Sequence, residues 1–72
     1  MGIINEKHFG QNITYRAGNG CTNILHEGEL IGTWSLIDGA RWLDVAHTVL
    51  TPEHKRYLLR ICALKTLSGH LL

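Results

Sequence analysis

Residues 11–47 read QNITYRAGNGCTNILHEGELIGTWSLIDGARWLDVAH, and three glycine-closed dipeptides cut this stretch into even pieces. They are Asn19-Gly20, Glu27-Gly28 and Asp38-Gly39. Two-residue hairpin loops need positive φ angles, which glycine supplies because it has no Cβ to clash. Glu-Gly is a weaker form of the same signal. Between the turns lie runs rich in Ile, Leu, Val, Thr, Trp and Tyr. The pattern predicts a four-stranded antiparallel meander over about 11–47, with strands at 11–17, 21–26, 30–37 and 40–47. Residues 1–10 are harder to place, and residues 2–5 offer a short extra N-terminal strand.

Downstream the period changes. Thr51-Pro52-Glu53 is a helix start: Thr51 can cap the free N–H groups, Pro52 suits the first helical position, and Glu53 complements the dipole. Tyr57, Leu58, Ile61 and Leu64 recur at three- and four-residue spacing and define one apolar face. Leu59, Cys62 and Leu67 lie off that stripe and widen the apolar arc, with Leu71-Leu72 able to extend it. Ser68-Gly69 offers a stop. The expected fold is therefore α+β: one domain, residues 1–72, a meander followed by a helix at about 52–68 packed on one sheet face.

Hairpin registers follow if each loop has two residues. Tyr15 then opposes Ile24, Leu25 opposes Leu30, Ile24 opposes Ile31, Trp34 opposes Leu43 and Trp42 opposes Ser35. Alternation places Leu25, Leu30, Trp34, Leu36, Leu43 and Val45 on one face, and Ile13, Tyr15, Ile24, Ile31, Ile37 and Trp42 on the other. Both faces are apolar in this reading. One helix of about 16 residues, roughly 24 Å long, covers only one of them. The second face then needs a closed barrel, a second subunit or a partner.

Composition narrows the function classes. The chain has 72 residues, a net charge of +1 and 18% charged residues. A chain this short has a thin stability margin and little room for a deep pocket. Near-neutral charge lacks the clustered basic footprint of a typical nucleic-acid binder. Cys21 and Cys62 are too few for a secreted disulfide scaffold and read as reduced thiols of a cytoplasmic protein. No signal-peptide pattern or membrane-spanning run is present in the sequence.

The candidate chemistry is sparse. His26, His47, His54, Cys21 and Cys62 lack the close paired spacing of zinc ligands. Cys21 or Ser35 with His47 and Asp44 shows no spacing that would assemble a nucleophile, base and orienting acid. Gly18-Asn19-Gly20 lacks the Lys-Ser/Thr of a phosphate loop, and turn chemistry accounts for it. No catalytic residue, metal or cofactor is expected, and no motif carries a family resemblance.

The expectation is a non-enzymatic regulatory or inhibitory protein-interaction module, of the kind that bacteriophages and mobile elements encode. It would act through the sheet face that the helix leaves open, either on a protein partner or as a homodimer. If the helix covers Trp34 and Leu43, that face presents Tyr15, Ile31, Ile37 and Trp42, with Arg41 nearby; tryptophan, tyrosine and arginine are common interface anchors. The alternative is a small nucleic-acid-binding regulator that uses Lys55, Arg56 and Arg60 on the helix together with sheet aromatics. No membrane role is expected.

Overall fold

A computed structural model describes residues 2–18 and 20–69. Asn19 of the first turn and the expected Leu71-Leu72 contact lie outside the described residues. Strands β1 (Ile3–His8), β2 (Gln11–Gly18), β3 (Cys21–His26), β4 (Glu29–Ser35) and β5 (Gly39–Trp42) form one antiparallel sheet in chain order. A one-turn helix α1 (Ala46–Val49) leads into α2 (Pro52–Leu67). The α+β class and the meander-then-helix order are as the sequence indicates. The sheet has five strands because residues 3–8 pair with β2 from Ile3 opposite Arg16 to His8 opposite Gln11. The last expected strand stops at Trp42, and the chain from Ala46 to Val49 is helical instead.

The β1–β2 turn is Phe9-Gly10, with φ of 57° and 76°. Phenylalanine rarely enters the left-handed region, so sequence patterning misses this turn. Phe9 is held there by stacking on His54, centroids 3.8 Å apart, and by an edge contact with Tyr57 at 5.1 Å. Glu27-Gly28 closes the β3–β4 hairpin as expected, also with both φ angles positive.

Two irregularities in β4 correct the expected registers. Leu25 pairs with Leu30 as anticipated, but Ile24 pairs with Gly32. Ile31 is therefore the extra residue of a β-bulge. Beyond it, Ser35 pairs with Gly39, so Leu36, Ile37 and Asp38 form a three-residue loop in place of a two-residue one. Ser35 Oγ accepts from the Asp38 N–H at 2.9 Å, and Gly39 takes the positive φ that ends such a loop. Trp34 now opposes Ala40, and Trp42 opposes Gly32. An odd shift in register exchanges the faces of a strand.

Both tryptophans consequently share a face with Ile4, Ile13, Tyr15, Ala17 and Ile24, and Ile31 turns inward at the bulge. Leu58 and Cys62 of α2, with Ala46 and Leu50, close over this face to make the core. The opposite face carries Asn5, Lys7, Asn12, Thr14, Arg16, Asn23, Thr33 and Arg41, with Ile3, Leu25 and Leu30 as apolar exceptions. The expectation of two apolar faces is thus overturned. The slipped β4 and β5 registers had spread one apolar set over two sides.

Helix α2 begins as its sequence dictates. Thr51 Oγ1 accepts from the His54 N–H at 3.1 Å, and Pro52 follows at the first helical position. Its roll differs from the expected stripe. Leu58 and Cys62 are fully buried, whereas Tyr57 is 40% and Leu64 56% exposed. Lys65 donates to Glu6 of β1 at 2.7 Å, and Tyr57 meets His8 edge-on at 5.3 Å. These contacts turn the Tyr57–Leu64 side of the helix toward β1 and point Cys62 into the core.

Two substitutions test this packing by urea unfolding. Leu58→Ala removes a fully buried side chain and is expected to cost about 2–5 kcal/mol. Gly32→Ala places a Cβ 2.6 Å from Cε3 of Trp42 and 2.9 Å from the Arg41 carbonyl oxygen. Backbone cannot yield cheaply there, so a loss of about 1–3 kcal/mol is expected. A neutral Gly32→Ala would contradict the Gly32–Trp42 pairing.

Candidate functional site

The five interface residues read from the sequence separate into two groups. Tyr15 and Ile31 have no exposed surface and lie in the core beneath α2. Burial also drives the Tyr15 phenol far above its ordinary pKa, so it stays neutral. Neither side chain is presented at the surface of the folded chain. Trp42 is half-buried on the helix-covered face, its ring over Gly32. Ile37 and Arg41 are exposed, at one corner of the molecule.

That corner is built by the β4–β5 loop. The Ser35–Gly39 closure pushes the two residues at its tip into solvent, leaving Leu36 68% and Ile37 93% exposed. Beside the tip lies a shallow hollow of about 430 Å³ lined by Cys21, Thr33, Ser35, Ile37, Asp38 and Arg41 among others. Its floor is the open sheet face, because Cys21, Thr33 and Arg41 all point to that side. An apolar knob, a guanidinium, a carboxylate, two hydroxyls and a thiol therefore line one concavity. His47 and Asp44 do not line it, and His47 instead bonds through Nδ1 to Lys55 Nζ on α2. The imagined Cys21 or Ser35 constellation with His47 and Asp44 is not brought together.

The open face has its own pattern. Arg16, Asn23, Thr33 and Arg41 form one continuous cross-strand row, each opposite the next. Lys7 lies on the same side of the sheet beside Asn12. No acidic residue occupies a paired position on this face, although Glu27 and Asp38 sit at its turns. Glu27 is engaged: its carboxylate accepts from the Asn12 backbone N–H at 2.6 Å and from the Asn12 amide at 3.2 Å. The three cations were legible in the sequence, but their common face follows only from the registers.

Of the alternative nucleic-acid residues, Arg56 and Arg60 are exposed one turn apart on α2, and Lys55 is occupied by His47. The tryptophans that would stack bases lie on the helix-covered face of the sheet, partly buried against the core. Helix cations and sheet aromatics are thus not combined on one surface.

A third surface flanks β1. Glu6 Oε2 accepts from Lys65, and Glu6 Oε1 lies 2.9 Å from His8 Nε2. The Lys65 hydrogen bond, ahead of the opposing effect of burial, holds the Glu6 carboxyl below its ordinary value of 4.5. Phe9, Tyr57 and Leu64 leave an exposed apolar margin beside this cluster. Sequence reasoning offered a strand only at residues 2–5 and did not single out Phe9.

The thiols are both free. Cys62 lies under α2 and Cys21 on the open side, so the sheet separates them. Burial pushes the Cys62 thiol up to about 12, which keeps it protonated and unreactive. Among the described residues no group of three or more His, Cys, Asp or Glu side chains could hold a metal ion, and no helix is long and apolar enough to cross a membrane. Compared with known proteins, the chain matches no family model, no curated protein and no solved structure.

The Glu6 geometry sets a pH dependence. A carboxylate whose folded pKa is depressed adds stability above its ordinary value, and that stability is lost as pH falls through the folded value. Glu6 and Glu27 both have this sign. The urea midpoint is expected to drop between about pH 6 and about pH 3, and Glu6→Gln is expected to shrink that drop. An identical drop in wild type and Glu6→Gln would contradict the β1–α2 tether.

Proposed function

We propose that the chain is a non-enzymatic, regulatory protein-interaction module that engages its partner through the β4–β5 corner. The observation that carries this reading is Ile37, a large aliphatic side chain 93% exposed on a tight loop with Leu36 beside it. Scattered exposed apolar residues are ordinary on a protein surface. Two adjacent ones at a constrained tip, next to a hollow with Arg41, form the apolar anchor with a polar margin that partner surfaces use. The tip enters a pocket on the partner, and Arg41 with Thr33 and Ser35 supplies directional hydrogen bonds at its margin. A loop of this kind needs little ordering on binding, which limits the entropy cost.

The experiment is retention of host-lysate proteins on the immobilised chain. Ile37→Asp is expected to abolish a discrete retained species while leaving the urea midpoint unchanged, and Arg56→Ala is expected to keep it. The same species retained by Ile37→Asp would contradict this surface.

A second reading rests on the cationic open face. Lys7, Arg16 and Arg41 can neutralise phosphates, and Asn23 and Thr33 between the arginines can bond to them. This favours a backbone-only nucleic-acid contact of steep salt dependence, without base stacking. A mobility shift at low salt that is lost in Arg16→Ala with Arg41→Ala, and kept in Arg56→Ala with Arg60→Ala, would select it over the protein-binding reading.

A further inference from the structure

We infer that β1 is a self-pairing edge, and that two copies of the chain join through it into a ten-stranded sheet. The Ala17 N–H donates to the Gly2 carbonyl at 2.8 Å, which makes Gly2–Ala17 a hydrogen-bonded pair. Bonding and non-bonding pairs alternate along an antiparallel ladder. Ile4, Glu6 and His8 therefore bond to β2, whereas Ile3, Asn5 and Lys7 aim their N–H and C=O groups away from the sheet. No strand pairs with them on that side among the described residues.

The two edges of the sheet differ. Strand β5 has four residues, and the Leu43 N–H bond to the Ile31 carbonyl sets Ala40 and Trp42 as its outward pair. The chain turns into α1 soon after. Strand β1 has six residues and neither a proline nor a bulge to blunt it, although Lys7 and the inward Glu6 put charge on the edge.

The outward groups of β1 are symmetric about Asn5. With Asn5 opposite Asn5 of a second copy, Ile3 faces Lys7 and Lys7 faces Ile3, so every outward donor finds an acceptor. Only such odd-to-odd registers satisfy the ladder. Of the two neighbouring registers, the one centred on Ile4 pairs only Ile3 with Asn5 within the strand and leaves Lys7 unmatched, and the one centred on Glu6 would set two carboxylates directly opposite each other, which is destabilising. The Asn5-centred register opposes no like charges. It sets Ile4 against Glu6 on the helix side and Ile3 against Lys7 on the other.

The symmetry axis then runs perpendicular to the sheet, and both α2 helices lie on one side. Lys65–Glu6 and Tyr57–His8 turn the Tyr57–Leu64 flank of each helix toward β1. The two flanks come to face each other over the new strand pair and cover side chains that are 40% and 56% exposed in the single chain. The hydrogen-bonding edge and the apolar margin are thus continuous, which is the form of a strand-addition interface. The occupant is a second copy because all three outward residues of β1 find partners in β1 itself, with no like charges opposed. This inference does not depend on the β4–β5 corner, which lies at the far edge of the sheet.

The test is sedimentation of the purified full chain over a range of concentrations. A species of twice the 8.1 kDa chain mass is expected. Asn5→Pro removes an outward N–H that β2 does not use and one exposed side-chain bond, from Thr14 Oγ1 to Asn5 Oδ1, so the sheet should keep its circular dichroism. The dissociation constant should rise about tenfold or more from the two lost bonds. Leu64→Asp alters only the helix flank and should weaken association as well, which keeps the test decisive if Asn5→Pro unfolds. Under oxidation Asn5→Cys should give an intermolecular disulfide more readily than Lys7→Cys. A monomer at every concentration, association unchanged in Leu64→Asp, or preferred cross-linking through Lys7→Cys would each overturn the inference.

Discussion

The side chains of a β-strand alternate with a period of two, so a single extra residue or one extra loop position moves everything beyond it to the other side. In this chain both occur in or just after β4. Ile31 is inserted at the bulge, and the loop after Ser35 holds three residues. Trp34 and Trp42 thereby share the face that already holds Tyr15 and Ile24. Gly32 is the residue that lets this happen, because any Cβ there would occupy the place of the Trp42 ring. The division of the sheet into an apolar and a polar side rests on that close approach.

With the division made, one helix is sufficient. Leu58 and Cys62 seal the centre of the apolar face, and the α1 region contributes Ala46 and Leu50 at its border. The polar side can stand in water, as one side of an antiparallel sheet commonly does. The helix does not cover the apolar layer symmetrically, however. Its Glu6 and His8 contacts roll Tyr57 and Leu64 toward β1, leaving an apolar margin alongside an unpaired strand edge. This margin and the Leu36–Ile37 tip are both places where the surface of a small domain with a thin stability margin is not fully water-adapted.

Much of the fold was legible because local signals and global structure agree. Strand β3 has the expected limits, Glu27-Gly28 closes its hairpin, and the Thr51 cap and Pro52 mark the helix start. What escaped were features without a local signature. Phe9 in a left-handed turn is stabilised by rings from α2, a tertiary effect that no dipeptide preference reveals. Neither the bulge at Ile31 nor the register that sets Trp42 on Gly32, ten residues away, has a dipeptide signature. The helix roll depends on Lys65 meeting Glu6, at opposite ends of the chain. The candidate site suffered accordingly: Ile37 and Arg41 remain at the surface on the loop and at a strand end, whereas Tyr15 and Ile31, correctly grouped with Ile13 and Ile24, lie under α2 because the helix covers their face and not an opposite one.

The shared face of the two tryptophans is best tested by proton NMR of the Gly32 methylene. The structure predicts upfield ring-current shifts for the Gly32 Hα protons and direct cross-peaks to the Trp42 indole. Unshifted Gly32 resonances, with Trp42 backbone contacts to Ser35 instead, would restore the two-residue loop and contradict the single apolar face on which this account stands.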